Sequence, residues 1–89
     1  MRGLSKVFAG SIAGMEIVNI DGTVLGELEN MVFDVETGEL IDLVVKPDSE
    51  LPRNKYREDG KYVLIPFNSV SAIKDYIVVD EGRAVKNEA

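Results

Sequence analysis

The sequence contains no cysteine, no histidine and no tryptophan. Without cysteine, the chain has no disulfide, no thiolate metal site and no cysteine nucleophile. Without histidine, it lacks the side chain best suited to proton transfer near neutral pH, which is also the commonest metal ligand. Without tryptophan, it lacks the large indole that often anchors a binding interface. These absences point away from catalysis and from a metal centre.

Long hydrophobic runs are also missing. No apolar stretch approaches the roughly 20 residues of a membrane-spanning helix, and the apolar part of Met1–Ile12 is too short and too broken for a secretory signal. With 89 residues, of which 45% are hydrophobic, the chain is expected to form one small domain. Because a thin core without disulfides fits an intracellular compartment, we expect an unprocessed cytoplasmic protein that does not insert into a membrane.

The net charge of −6 is unevenly distributed. Between Val7 and Val45 there is no lysine or arginine, whereas acidic residues recur through this half: Glu16, Asp21, Glu27, Glu29, Asp34, Glu36, Glu39 and Asp42. An acidic half repels phosphate backbones, so nucleic acid is not expected as a partner. The simplest interpretation of these acids is solvated strand faces and turns.

Turn residues divide the chain into short extended segments, which is typical of an all-β protein. Asp21-Gly22, Thr37-Gly38 and Asp59-Gly60 supply the glycines that tight turns require. The predicted strands are Met15–Ile20, Thr23–Val35, Leu40–Lys46, Lys61–Phe67, Ser71–Ile73 and Tyr76–Asp80.

Alternation of apolar residues assigns the faces of two of these strands. The residues expected to point inward are Ile41, Leu43 and Val45 in the first, and Val63, Ile65 and Phe67 in the second. Pro66 cannot donate a ladder hydrogen bond, so we expect it at a strand end or an edge.

The segment Val24–Val35 breaks strict alternation. Leu28 is expected inward, and so are Met31, Phe33 and Val35, which leaves one three-residue step. An extra residue near Glu29-Asn30, a β-bulge, would restore the register and bend the strand. The fold class predicted is therefore a small, strongly bent antiparallel β-barrel with at most a short helical turn, which we place at Phe67–Val70.

Two regions are predicted to be irregular. Pro47–Gly60 contains two prolines and many charges, and we expect a loop that is mobile at its centre. Residues 83–89 are polar and are expected to form a flexible tail, which leaves residues 1–82 as the single domain.

Candidate catalytic residues lack the partners that chemistry requires. The serines have no histidine base beside them; they are Ser5, Ser11, Ser49, Ser69 and Ser71. The acids Asp34, Glu36 and Glu39 cluster at a turn but lack the remaining ligands of a calcium loop. No glycine motif for nucleotides is present. We therefore expect neither an enzyme nor a cofactor.

Two sets of residues are candidates for binding. The loop cations Arg53, Lys55 and Arg57, which flank Tyr56, form a candidate contact for an anion or RNA, although a solvated loop explains them more simply. Apolar residues on predicted outward faces form a candidate self-association face, which favours a homodimer; they are Leu40, Val44, Tyr62 and Leu64.

The order and spacing of several motifs resemble the PRC-barrel family. These motifs are Ala13–Val18, Asp21-Gly22, Leu25–Leu28, Val32–Asp34 and Thr37-Gly38, and then Val63–Phe67, Val70, Ile73 and Ile77–Asp80. The resemblance covers the chain from about Phe8 to Glu81. It implies a compact, bent β-barrel without a catalytic site, similar to the cytoplasmic domain of the photosynthetic reaction centre H subunit and to the C-terminal half of the ribosome maturation factor RimM.

The resemblance also implies three alternative functions. Short stand-alone members are typical of archaea, where some are similar to cell-division proteins that bind the FtsZ anchor SepF. The first alternative is therefore a protein interaction or assembly module, with a SepF-like protein as one partner. The others are a ribosome- or RNA-associated assembly factor and an accessory to an electron-transfer complex. We expect this chain to lack the RNA-associated domain and the membrane helix of the two named relatives.

Overall fold

A computed structural model describes residues 14–84 of the chain. Seven strands, two 3-10 turns and one short helix account for most of this region. The elements are β1 (Glu16–Asn19), β2 (Val24–Phe33), β3 (Leu40–Pro47), a 3-10 turn (Arg53–Lys55), β4 (Arg57–Asp59), β5 (Tyr62–Pro66), a 3-10 turn (Phe67–Ser69), β6 (Val70–Ile73), β7 (Ile77–Val79) and α1 (Glu81–Ala84).

The strands form one bent sheet in the order β4-β5-β3-β2-β1-β7-β6. All neighbouring strands are antiparallel except β1 and β7, which run parallel, with Ile17 opposite Ile77. Within residues 14–84 no pairing joins β4 to β6, so these two strands are the edges of the sheet. The all-β class and the strong bend are confirmed, whereas the parallel pair was not predicted.

The core lies on the inner side of this bend. Its buried apolar side chains come from every strand except β4 and β6: Ile17, Leu25, Leu28, Met31, Leu43, Val45, Val63, Ile65, Ile77 and Val79, joined by Tyr56 and Ala84. Full burial of one such side chain contributes roughly 1.5–3 kcal/mol, so this cluster is the main source of stability. The inward assignment of Leu43, Val45, Val63 and Ile65 is confirmed.

The predicted bulge in β2 is confirmed. Leu28 lies opposite Val45 and Asn30 lies opposite Val44, so Glu29 is the extra residue. This step places both Leu28 and Met31 in the core, as the broken alternation of the sequence required.

Two inward assignments are wrong. Val35 is 84% exposed because it lies in the turn after β2. Ile41 is 42% exposed because a second irregularity lies on β3: Val32 opposes Asp42 and Phe33 opposes Leu40, which leaves Ile41 as an extra residue. The same shift turns Leu40 from its predicted outward position towards the core, against which it packs.

The predicted loop Pro47–Gly60 is more ordered than expected. It contains a 3-10 turn and the edge strand β4, which pairs with β5 through Glu58 opposite Val63. Tyr56, between these two elements, has no exposed surface. The single helical turn predicted at Phe67–Val70 is confirmed as the 3-10 turn at Phe67–Ser69, and Pro66 ends its strand as predicted.

Helix α1 includes Arg83 and Ala84, which were predicted to belong to the flexible tail, and Ala84 is buried. The expectations for Met1–Ile12 and for the rest of the tail fall outside the described residues. No helix in the part of the chain that the structure describes is long and apolar enough to cross a membrane.

Candidate functional site

The outer side of the sheet carries an apolar surface over β3 and β5. Val44 lies directly opposite Leu64, and Tyr62 is two residues from Leu64 on the same side of β5. All three side chains are half-buried. Val32 of β2 is on the same side and 40% exposed; it lies opposite Asp42, diagonally from Val44, which faces Asn30. We call these four residues, Val32, Val44, Tyr62 and Leu64, the outer patch.

The outer patch contains three of the four residues predicted for self-association. Leu40 does not belong to it, because the irregularity at Ile41 directs Leu40 to the core. Val32 was missed because the prediction considered only two strands. It could have been found by carrying the alternation of β2 beyond its bulge, since Val32 and Met31 then point to opposite sides.

An ion pair borders the outer patch. Arg57 donates two hydrogen bonds to Asp42, from Nη2 to Oδ1 at 2.5 Å and from Nη1 to Oδ2 at 3.4 Å. The side chain of Asp42 is 10% exposed and that of Arg57 is 47% exposed. The Asp42 carboxylate loses hydration because it is largely buried. Arg57 contacts both of its oxygens and so compensates most of this loss.

The predicted anion contact does not form one cluster of unpaired cations. Arg53 makes a salt bridge with Glu58 at 3.3 Å and donates a hydrogen bond to the backbone oxygen of Gly60 at 2.8 Å. Arg57 is paired with Asp42, and Lys55 is an exposed residue of the 3-10 turn. The contribution of each arginine to anion binding is therefore reduced by a carboxylate already in place.

Arg53 and Arg57 also line different grooves. Arg53 lines one with Lys46, Lys61 and the carboxylates of Glu29 and Asp48. Arg57 lines another with Glu39 and Asp42. Tyr56, the aromatic of the predicted contact, is buried and cannot stack on a base.

The hydroxyl of Tyr56 has a structural partner. It donates a hydrogen bond to Oε2 of Glu81, whose own backbone N–H donates to Oδ1 of Asn19 at 2.8 Å. Burial raises the pKa of Tyr56, and the hydrogen bond to the Glu81 carboxylate and its charge raise it further. The three residues connect the 47–60 segment, β1 and α1, so this network serves the fold. Glu81 also lines a surface groove with Val24 and Leu51.

Asp34, one of the three acids at the β2–β3 turn, has a structural role. Oδ1 of Asp34 accepts hydrogen bonds from the backbone N–H groups of Glu36 at 2.8 Å and Thr37 at 3.2 Å, which fixes the turn between β2 and β3. Across residues 14–84, no group of three acidic side chains is placed to hold a metal ion.

Comparison with known proteins agrees with this description. A family model described as the PRC-barrel domain matches residues 5–86. An uncharacterized protein of Methanocaldococcus jannaschii is 38% identical over 78 residues, which cover 88% of this chain and 85% of that protein. The match to the family model spans every described element from β1 to α1.

Proposed function

Because the chain belongs to the PRC-barrel family, a non-catalytic domain type, we propose that it is a protein–protein interaction module that pairs with a second copy of itself. The observation that carries this proposal is the outer patch. Val44 and Leu64 oppose each other at its centre, Tyr62 extends it along β5, and Val32 extends it diagonally onto β2. A contiguous apolar area on the convex side of a small sheet is a typical interaction surface.

The charges around the outer patch suit a symmetric pair. In a two-fold interface each surface meets its own copy, so a surface with charges of one sign would repel itself. The outer patch is bordered instead by both signs: Arg57 and Asp59 on β4 and Lys46 and Asp42 on β3. Since the whole chain carries a net charge of −6, a locally balanced surface is where two copies meet with least repulsion.

Tyr62 is well suited to the edge of such an interface. The ammonium group of Lys61 lies 5.5 Å from the centre of the Tyr62 ring, within the range of a cation–π contact. The ring is half-buried, and tyrosines of this kind are enriched among the residues that dominate interface energies.

Sedimentation velocity of the purified full chain tests the pairing. We expect a dimer at high micromolar concentration, and we expect Val44→Glu to give a monomer, because a carboxylate at the centre of the outer patch would be desolvated twice by symmetry. Val35→Glu is the matched control, since Val35 is 84% exposed in a turn outside the patch. A monomeric wild-type chain, or a Val44→Glu dimer as stable as the wild type, contradicts the proposal.

The cellular process is a separate part of the proposal. The resemblance to archaeal division proteins that bind the FtsZ anchor SepF makes cell division the process that we propose for this module. Purified full chain should then bind a purified SepF-like protein from the same cells in a calorimetric titration. Absence of heat and of co-elution on size exclusion would reject the division role and leave the pairing proposal intact.

A further inference from the structure

A second apolar surface lies on the outer side of the other half of the sheet. Val18 is directly opposite Val24 on one side and opposite Val78 on the other, and Val78 in turn opposes Ala72. The row therefore crosses β2, β1, β7 and β6. We call these four residues, Val18, Val24, Ala72 and Val78, the outer stripe.

Burial shows which side of the sheet the outer stripe occupies. Ile17 and Ile77, which precede Val18 and Val78, are completely or almost completely buried and point to the core. Val18 and Val78 therefore point outward, where they and Ala72 are half-buried and Val24 is 39% exposed. The outer stripe is thus an apolar sheet face that the described part of the chain leaves partly open.

Acidic residues lie beside the outer stripe, towards the start of β1. Glu16 and Glu27 are directly opposite each other on β1 and β2, and both are exposed. Like charges in directly opposed positions destabilise a sheet, so this pair costs stability unless a cation joins it. Lys46 opposes Glu27 on β3, yet it makes no salt bridge with either glutamate in the region that the structure describes.

The opposite side of the outer stripe, beyond the end of β1, is also acidic. Asp21 lies in the turn between β1 and β2, where its Oδ1 accepts the backbone N–H of Thr23 at 2.9 Å. This backbone hydrogen bond is the largest cause that lowers the pKa of Asp21, so the carboxylate stays charged near neutral pH. In the turn between β6 and β7, Lys74 is followed by Asp75, so the one cation there has an acid beside it.

We infer that the outer stripe binds a partner protein through an extended segment whose apolar side chains are flanked at both ends by lysine or arginine. The segment would run along β1, across the outer stripe, so that its apolar side chains cover Val18 and the adjacent Val78 while its cations meet Glu16 and Glu27 at one end of the segment and Asp21 at the other. A second copy of this chain does not fit, because the acids of the two copies would repel each other. Nucleic acid does not fit for the same reason.

The length of the segment follows from strand geometry. Residues two apart on one strand face the same side and are about 7 Å apart. The distance from Glu16 to Asp21 along β1 and its turn therefore corresponds to about six or seven residues of an extended partner. A peptide of the sequence Lys-Ser-Val-Ser-Val-Ser-Lys places two valines and two lysines on one side at this spacing, and it is the probe for the test.

Heteronuclear NMR of the full chain, titrated with this peptide at low salt, tests the inference. We expect saturable shifts of the amides of Val18, Val24 and Val78. Double substitution of Glu16→Gln and Glu27→Gln should weaken binding about threefold to tenfold, as expected for the loss of two exposed charge pairs. Glu36→Gln with Glu39→Gln is the matched control, because these exposed acids lie in the β2–β3 turn, and its affinity should equal that of the wild type.

Several results would overturn the inference. The peptide could leave these amides unshifted, or Glu-Ser-Val-Ser-Val-Ser-Glu could shift them equally. Nuclear Overhauser contacts from Val78 to Val7 or Phe8 in the free chain would show that the chain's own N-terminal segment covers the outer stripe, which rejects a separate partner. Repeating the titration with Val44→Glu separates the two proposals, because loss of pairing at the outer patch should leave peptide binding unchanged.

Discussion

The hydroxyl of Tyr56 donates a hydrogen bond to the carboxylate of Glu81, a residue 25 positions further along the chain. Tyr56 lies between a 3-10 turn and β4, and Glu81 opens α1. Both residues therefore stand at the ends of short elements that have few backbone hydrogen bonds of their own. This hydrogen bond connects the segment 47–60 to α1, and both pack against the same part of the core.

Substitution of Tyr56→Phe should lower the free energy of unfolding by about 1–2 kcal/mol, because it removes the hydroxyl and leaves a half-buried carboxylate without its donor. The ring itself keeps its place in the core. Chemical denaturation of the two proteins measures the difference. Tyr76→Phe is the control, since Tyr76 is 40% exposed, and it should change stability by less than about 0.5 kcal/mol. Equal effects of the two substitutions would contradict the role assigned to Tyr56.

The same hydroxyl predicts a loss of stability in alkaline solution. Burial and the neighbouring carboxylate raise the pKa of Tyr56 above its ordinary value of 10.0. Above pH 10 the folded chain therefore keeps a proton that the unfolded chain releases, and the free energy of unfolding falls as the pH rises. Below pH 10 both states are protonated and the contribution is constant. Unfolding curves collected from about pH 9 to 11 should fall more steeply for the wild type than for Tyr56→Phe; parallel curves would refute this origin.

Local sequence was sufficient for features that depend on alternation within one strand. The bulge at Glu29 was predictable because Leu28 and Met31 are both apolar and three residues apart, which no regular strand can place on one side. The central residues of the outer patch were predictable for the same reason. On β3 Val44 alternates with the buried Val45, and on β5 Leu64 alternates with the buried Ile65. Both strands are long enough for alternation to define one inner face.

Other features depend on residues distant in the chain. The run Leu40-Ile41-Asp42 does not reveal that Ile41 is the extra residue, because burial of Asp42 requires Arg57, fifteen positions later. Tyr56 is flanked by charged residues, which is typical of a loop, and only its contact with Glu81 explains its burial. The outer stripe was missed because it includes both β1 and β7, and no local motif predicts that these two strands pair in parallel.

The largely buried carboxylate of the Arg57–Asp42 ion pair should make this pair contribute more to stability than the exposed Arg53–Glu58 pair. Arg57→Ala should destabilise the fold by about 1–3 kcal/mol, because it leaves a largely buried carboxylate without its cation. Glu58→Gln is the comparison: it removes the charge from the other salt bridge, in which both side chains are about two-fifths exposed. It should cost less than about 0.5 kcal/mol. Thermal or chemical unfolding of both variants checks the ranking, and a reversed order would show that Asp42 is hydrated in the absence of Arg57.

Gly26 should be the glycine least tolerant of a side chain, because β2 and β3 approach closely at this point. A Cβ atom at Gly26 would overlap the backbone oxygen of Lys46 and lie 2.9 Å from Cγ1 of Val45. Neither neighbour can rotate away, since one is backbone and the other belongs to a completely buried side chain. Gly26→Ala should therefore destabilise the chain by at least about 2 kcal/mol through strain between the two strands.

Gly82→Ala is the matched control, because Gly82 lies in α1 and the nearest atom to its added Cβ is Oδ1 of Asp80 at 3.4 Å. Alanine favours helix by up to about 1 kcal/mol over glycine, so this variant should equal or exceed the wild type in stability. A stable Gly26→Ala protein would mean that β2 can move away from β3 without loss of the core, and the close approach would then be a consequence of the glycine and not a requirement of the fold.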